Sequence, residues 1–429
     1  MGGMVLAVTP PATGVPVRVA AIPVVVDPDA TVGVVIYLAA GIVLGTASGL
    51  TPGLHANTFA LLLASAAPSL PGPAGYIAVA MVAAGVVHTF LDVVPAVALG
   101  VPDAAMAATA LPAHRLVIEG RGREALRLSA LGSGLAVVLA IPLAIPVTAG
   151  MVRIYPHLQP RIPLVLTALA VLMVATEPSR RGRVAAAGLF MASAALGLAT
   201  LDRTPTGLVG VGGLLAPLFA GLFGAPVLAD ALGGGGVPIQ DDARLVMGRR
   251  RVAVVASAGA GAGAIVGYLP GVSSAIAAAV VLMAMPAAAG ARGFIVATSG
   301  VNTANAVFAL FTLVALGTPR TGVLVALDRA GAPLNLPLLL AGIAVAAAIG
   351  FCLVPIIGDR YLRWAGHVDY RRLSVVLLVG LAGLSVGFAG AVGLVAFLPA
   401  AGLGLLPPRV GTRRVHLMGV LIGPLILGG

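Results

Sequence analysis

Polar side chains that can carry charge or bind an ion stand inside two long apolar stretches of this sequence. His88 and Asp92 lie in the first, and Asn302, Thr303 and Asn305 lie in the second. His88 precedes Asp92 by four residues, which places both on one helix face. Polar groups inside a membrane are costly and usually functional. An imidazole beside a carboxylate can exchange a proton near neutral pH, and amide and hydroxyl oxygens can bind Na⁺. These five residues are therefore candidate ion-coupling residues, with a water-satisfied helix end or simple helix packing as the alternatives.

Two matching Pro-Gly sequences interrupt the apolar stretches that surround these residues. The pattern G-x-x-x-G-x-x-P-G occurs at 45–53 and again at 263–271. Because proline lacks a backbone donor and glycine permits positive φ, each helix is expected to break there. Freed amides are tolerated in a bilayer only where they face protein or a water-filled cavity. Matching breaks in two halves of a chain predict a transporter binding site.

The residues around the two breaks are candidate substrate contacts. A half-helix that starts after each break presents free N–H groups and about half a positive charge, which suits an anion. Neither hairpin contains Arg or Lys, which favours recognition by helix dipoles and polar side chains. The alternative is that the breaks only kink packed helices. The predicted substrate-binding residues are Gly49, Thr51, Pro52, Gly53, His55, Asn57, Thr58, Gly267, Pro270, Gly271, Ser273 and Ser274.

The composition is that of a membrane protein. Hydrophobic residues make up 59% of the 429 residues and charged residues 9%, against roughly a quarter charged in soluble domains. The net charge of +11 does not indicate nucleic-acid binding, because the basic residues are all Arg and cluster in short loops, as positive-inside topology requires. The single Cys352 excludes a disulfide framework. Without a Walker motif or a recognisable catalytic triad, we expect no enzyme and no cofactor beyond H⁺ or Na⁺ as coupling ion.

The order of apolar segments predicts an all-α polytopic protein of the cell membrane with about 10–12 transmembrane helices plus two re-entrant or broken-helix hairpins in an inverted repeat. Placing every Arg cluster in the cytoplasm requires the second hairpin to return to its own side, and the first then opens from the opposite face. The predicted divisions are an irregular extension (1–31), a first repeat (32–224) with hairpin 32–68 and an amphipathic surface segment (114–129), a cytoplasmic loop (225–251), and a second repeat (252–429) with hairpin 252–286.

The internal repeat extends beyond the Pro-Gly breaks. Each is followed by Leu-Gly-x-Pro, at 99–102 and 316–319. His88 precedes the glycine of the first by the same interval by which Asn305 precedes the glycine of the second. The two residues are therefore predicted to occupy equivalent positions in the two halves.

Taken together, these pieces resemble the large permease subunit of tripartite tricarboxylate transporters, in particular the shorter archaeal-type members. The matching sequences lie at 45–58, 88–95, 111–125, 221–224, 270–271, 299–305 and 413–421. The resemblance implies a secondary transporter for a small carboxylate, assisted by a small membrane subunit and an extracytoplasmic substrate-binding protein. The chain departs from the bacterial pattern in its shorter length and in carrying His55 and Asn57 after the first Pro-Gly turn.

The function predicted from the sequence is a secondary active transporter for a small organic anion, a carboxylate, coupled to H⁺ or Na⁺. Its surroundings are the lipid bilayer, and no nucleic acid is expected as a partner. A translocase for polyprenyl phosphate or another lipid phosphate is the alternative, because the same half-helix ends would bind a phosphate. A purely structural subunit is disfavoured, since a scaffold gains nothing from polar residues within the membrane.

Overall fold

The computed structural model describes residues 27–51, 59, 63, 71–99, 110–208, 213–232, 238–241, 244–270, 272, 274, 277, 281 and 290–428. The regular structure of these residues is helical. Eight of the helical stretches are long and apolar enough to cross a membrane. The predicted class, an all-α multi-pass membrane protein, is thereby confirmed.

The helices are numbered along the chain. They are α1 (Pro28–Leu50), α2 (Ala74–Leu91), α3 (Val93–Leu99), α4 (Ala110–Ile118), α5 (Gly122–Leu158), α6 (Ile162–Ala175), α7 (Arg180–Thr200), α8 (Leu215–Phe219), α9 (Ala225–Ala231), α10 (Arg249–Tyr268), α11 (Gly290–Leu316), α12 (Gly322–Arg329), α13 (Leu336–Ala365), α14 (Tyr370–Gly404), α15 (Leu406–Arg409) and α16 (Gly419–Leu427).

Glycines on one face of α1 let its backbone approach the backbone of α2. A Cβ atom on Gly41 would overlap the carbonyl oxygen of Ala80, and one on Gly45 would overlap that of Ala84. Small residues four apart allow close helix approach in membranes. Because the contacting residue numbers rise together, α1 and α2 run in the same direction. The starts of α1 and α2 therefore lie at the same end of the pair.

The same contact recurs between α10 and α11. A Cβ atom on Gly259 would lie 2.8 Å from the carbonyl oxygen of Ala297, and one on Gly263 would lie 3.0 Å from that of Val301. Gly259 follows Gly41 by the same number of residues by which Pro270 follows Pro52, and Ala297 follows Ala80 by one residue fewer. The two glycine contacts therefore occupy corresponding positions in the two halves of the sequence. The helices α10 and α11 therefore also run in the same direction, with their starts at the same end of the pair.

The long helix α5 lies beside α11 and runs in the same direction. Near its start, Glu124 binds Arg292 at the start of α11. Near its end, Tyr155 accepts a hydrogen bond from Arg320, four residues beyond the end of α11. The first part of α5 and the short helix α4 contain the segment 114–129.

Helix α13 links the two halves and fixes their relative direction. Its Gly342 packs on Val79 and its Gly350 packs on Phe90, so α13 runs in the direction of α2. Its contacts with α5 occur in the opposite order along the chain. They join Leu126 to Gly358 and Gly134 to Phe351. Helix α13 is therefore antiparallel to α5.

Helix α14 reverses direction partway along its length. Ala389 and Gly390 leave the helical conformation, and Gly390 has φ of +59°. A Cβ atom on Gly393 would overlap the carbonyl oxygen of Ser385, whereas eight residues of straight helix would separate them by about 12 Å. The two arms of α14 therefore fold against each other. The second arm packs with parts of α6, α7, α8 and α16 in a second apolar cluster.

Candidate functional site

Asp92 and Asn302 meet at the contact between the two glycine-packed helix pairs. Asp92 lies at the turn between α2 and α3, and Asn302 lies in the middle of α11. The Asn302 Nδ2 donates a hydrogen bond of 2.9 Å to the Asp92 Oδ2. Both side chains are buried, at 4% and 6% exposure. The predicted coupling residues of the two halves are therefore in direct contact, 210 residues apart in sequence.

Ser274 extends this pair to the returning arm of the second hairpin. Its hydroxyl donates to the Asn302 Oδ1 at 3.4 Å, and the residue is buried. Ser274 follows the Pro270 break by four residues. A predicted substrate contact and two predicted coupling residues, Asp92 and Asn302, consequently share one hydrogen-bonded chain.

His88 is fully buried and contacts α1. Its Nδ1 lies 2.9 Å from the Ser48 hydroxyl, and its ring stacks on Phe59 with centroids 5.8 Å apart. The backbone N–H of Asp92 donates to the His88 carbonyl, as expected one helical turn later. The imidazole and the carboxylate thus make side-chain hydrogen bonds in different directions, to α1 and to α11.

A chain of hydroxyl groups runs between α2, α11 and α5. Thr89 donates to Thr303 at 3.4 Å, and Thr303 donates to Ser133 at 2.8 Å. Ser133 donates in turn to the Ser299 carbonyl oxygen, and the Ser299 hydroxyl lies 2.8 Å from that of Ser129. These contacts join α2, α11 and α5 through buried polar groups. The sequence analysis missed Ser129 and Ser133, although their spacing of four on an apolar helix was the available signal.

Asn305 has a different environment from Asn302. It is half-buried on α11, and its buried Oδ1 has no hydrogen-bond partner within the described ranges. A Cβ atom on Gly263 would clash with the backbone nitrogen of Asn305. A buried amide oxygen without a donor is costly, so a ligand or water that donates to it would be stabilised there.

Helices α1 and α10 both end just before the prolines at which the sequence predicts a break, Pro52 and Pro270. Helix α1 ends at Leu50, with Thr51 extended and its hydroxyl bonded to the Ala47 carbonyl oxygen. Helix α10 ends at Tyr268, with Leu269 extended just before Pro270. Of the predicted substrate contacts, Pro52, Gly53, His55, Asn57, Thr58, Gly271 and Ser273 lie outside the described residues.

Gly49 and Gly267 are used for helix packing. A Cβ atom on Gly49 would lie 3.0 Å from the His88 carbonyl oxygen and 3.2 Å from the Asp92 nitrogen. A Cβ atom on Gly267 would lie 2.7 Å from that of Phe308. The first break is thereby held against the turn that carries Asp92.

The second break is anchored by hydrogen bonds. The Tyr268 hydroxyl lies 2.5 Å from that of Thr148 on α5, and Tyr268 is buried. Thr312 on α11 donates to the Gly267 carbonyl oxygen at 2.8 Å. The last turn of α10 is therefore fixed to both α5 and α11.

A separate buried ionic cluster joins the C-terminal segment to the loop between α6 and α7. Glu177 Oε1 accepts hydrogen bonds from Arg413 Nε at 2.8 Å and from His416 at 2.7 Å. Burial alone would raise the pKa of Glu177, but hydrogen bonds from His416 and Arg413 and the charge of Arg413 hold it below its ordinary value. Burial lowers the pKa of His416, which favours the neutral imidazole. Among the described residues its Nδ1 has no hydrogen-bond partner, which fits a neutral ring that donates only through Nε2.

The oxygen atoms around Asp92, Asn302 and Ser274 suit the binding of H⁺ or a hard monovalent cation. A carboxylate, amide oxygens and hydroxyl groups are hard oxygen donors. Within the described ranges there is no group of three His, Cys, Asp or Glu side chains that could hold a metal ion.

Comparison with known proteins gives a consistent result. The family described as the tripartite tricarboxylate transporter TctA family matches residues 35–419. An uncharacterized protein of Methanocaldococcus jannaschii is 28% identical over 408 residues, which cover 91% of this chain and 98% of that protein. No solved structure matches the chain.

Proposed function

The chain belongs to the tripartite tricarboxylate transporter TctA family, and we propose that it is the permease that moves a small organic carboxylate across the cell membrane, coupled to H⁺ or Na⁺. The Asp92–Asn302 hydrogen bond is the observation that carries the proposal. It joins a buried acid of the first glycine-packed pair to the second pair, and a passive membrane scaffold has no use for such a contact.

The two halves of this permease form an inverted repeat. The directions of the helices support this. Helix α2 is parallel to α13, α11 is parallel to α5, and α13 is antiparallel to α5, so α2 and α11 are antiparallel. The hairpin at α1–α2 then opens towards one face and that at α10–α11 towards the other. Substrate and coupling ion bind between the two breaks, as expected for a repeat of this kind.

The coupling works through Asp92. Protonation, or Na⁺ binding, removes the net charge at this carboxylate and changes the acceptor that Asn302 meets. Asn302 also accepts the hydrogen bond of Ser274, so the change reaches the returning arm of the second hairpin. Residues that follow the breaks, including His55, Asn57 and Ser273, contact the anion. A small membrane subunit and an extracytoplasmic binding protein deliver it.

Ligand binding tests the substrate class. The detergent-purified protein is heated with acetate, succinate, citrate or a short-chain prenyl phosphate, with and without Na⁺. We expect succinate or citrate to raise the unfolding temperature, since a ligand of the folded state stabilises it by mass action. A rise with the prenyl phosphate alone would overturn the proposal.

Labelling of introduced cysteines tests the inverted repeat. In a Cys352→Ser background, Pro71→Cys and Ala291→Cys place one thiol at the open end of each hairpin. We expect a membrane-impermeant maleimide to reach them from opposite faces. Labelling of both from the same face would exclude inversion.

A further inference from the structure

Arg320 is unusual among the arginines of the described chain. Five of these are half-buried, namely Arg121, Arg123, Arg292, Arg320 and Arg414. Each of the other four pairs with a carboxylate, on Glu124, Asp359 or Asp230. Arg320 pairs with no carboxylate in the described part of the chain. A cation held partly out of water without a counter-ion is costly, so its retention calls for an anion.

The donors of Arg320 are only partly used. Its Nη2 donates to the Tyr155 hydroxyl, and its Cζ lies 5.6 Å from the centre of the Tyr155 ring. Among the residues that the structure describes, its buried Nε has no hydrogen-bond partner, and neither has the buried hydroxyl oxygen of Thr318 two residues earlier. A guanidinium has five N–H donors in a planar fork that matches a carboxylate. The ring of Tyr155 therefore fixes one side of the guanidinium and leaves other donors available.

Arg320 stands close to the second break. Tyr155, which holds it, follows Thr148 by seven residues on α5, two turns or about 10 Å along one helix face. Thr148 is the residue that binds Tyr268 at the end of α10. Met151, Val272 and Leu316 all border the same apolar cluster, which contains Tyr155. Arg320 thus lies about two turns beyond the break, at the end of α11 remote from Arg292.

We propose that Arg320, oriented by Tyr155, binds a carboxylate of the transported anion at the approach to the second break. The inference rests on the proposed function and adds to it a requirement for at least two carboxylates. One carboxylate meets uncharged polar groups of the site, such as Asn302 and Ser274, and the other meets the guanidinium. A monocarboxylate can satisfy only one of these and binds more weakly. Arg320 is in this way a specificity-determining residue.

Direct binding to the purified full-length protein tests the assignment. Dissociation constants for acetate, succinate and citrate are measured by titration calorimetry on wild type, Arg320→Gln, Arg320→Lys and Tyr155→Phe. Exposed Arg203 gives the matched control Arg203→Gln. We expect Arg320→Gln to weaken succinate and citrate binding by about tenfold or more, as for a lost hydrogen bond between charged groups. Arg320→Lys should recover part of the affinity, and Arg203→Gln should match wild type.

The outcomes separate the two proposals. Equal affinity of wild type and Arg320→Gln for succinate and citrate would overturn the role of Arg320 and leave the carboxylate permease intact. An equal loss for acetate would also overturn it, because a structural role would not depend on substrate charge. If wild type binds none of the three, the proposed function fails and this inference fails with it. Should Arg320→Gln not fold, Arg320→Lys and Tyr155→Phe carry the same comparison.

Discussion

Glu124 holds three parts of the protein together, and its replacement should cost far more stability than that of a surface acid. Its carboxylate accepts from Arg292 Nε and Nη2 at 2.9 and 3.0 Å, and from the Val246 N–H at 3.0 Å. Arg121 adds a contact of 2.8 Å. The Glu124 side chain is 2% exposed. Removing one partner of such a buried pair typically costs about 3–5 kcal/mol, because the other charge stays buried without its partner.

Glu124→Gln keeps the shape of the side chain and removes its charge. Unfolding in mixed micelles can be followed through Trp364, the only tryptophan of the sequence. The control is Glu119→Gln, because the Arg115–Glu119 pair is exposed, with side chains 79% and 46% accessible, and should contribute less than about 1 kcal/mol. Replacing Glu124 and Arg292 together by leucine should restore much of the loss. Equal stability of the two glutamine variants would refute the reasoning.

Three further results are expected. Gly197→Ala should destabilise the protein by about 1–3 kcal/mol, because its Cβ would overlap a carbonyl oxygen on α16. Gly188 has open space around it, so Gly188→Ala should be neutral or stabilising by up to about 1 kcal/mol. Chemical unfolding of the two variants compares these free energies. Asp92→Asn should bind substrate but lose accumulation against a gradient in proteoliposomes, and accumulation at the wild-type level would place coupling elsewhere. Burial lowers the pKa of His416, so the unfolded state binds a proton that the folded state does not, and stability should fall as pH drops below about 6.5, less steeply in His416→Gln. The lowered pKa of Glu177 adds a further loss only below about 4.5. Unfolding measured from pH 5 to 8 checks the effect of His416, and identical slopes would contradict it.

The helix ends could be predicted from the sequence because they depend on local chemistry. Proline followed by glycine favours a helix end, and α1 and α10 end just before Pro52 and Pro270, whereas α5 continues through Pro142 and Pro146, which no glycine follows. The repeat was visible because its landmarks keep a nearly constant offset in sequence.

The partners of the polar residues could not be predicted, because they depend on which helices pack together. The spacing of His88 and Asp92 suggested that they act as a pair, yet their described side-chain hydrogen bonds go to Ser48 and Asn302. No local pattern connects residues so far apart in the chain. The glycines before the breaks were interpreted through the breaks alone, although the same absence of a side chain sets the distance between α1 and α2. The substrate-binding role of the residues around the breaks stays a prediction.

The glycine spacing has a consequence for how α1 can move. Gly41, Gly45 and Gly49 recur every four residues, and their neighbours Ala80, Ala84 and His88 have the same interval. A displacement of α1 along α2 by four residues, about 6 Å, would set each glycine against the next position of the same spacing and leave the backbone fit nearly unchanged. The apolar contact therefore defines a series of almost equivalent registers. The hydrogen bond between Ser48 and the His88 imidazole is specific to one of them, so it selects the register that the helix surfaces alone leave open.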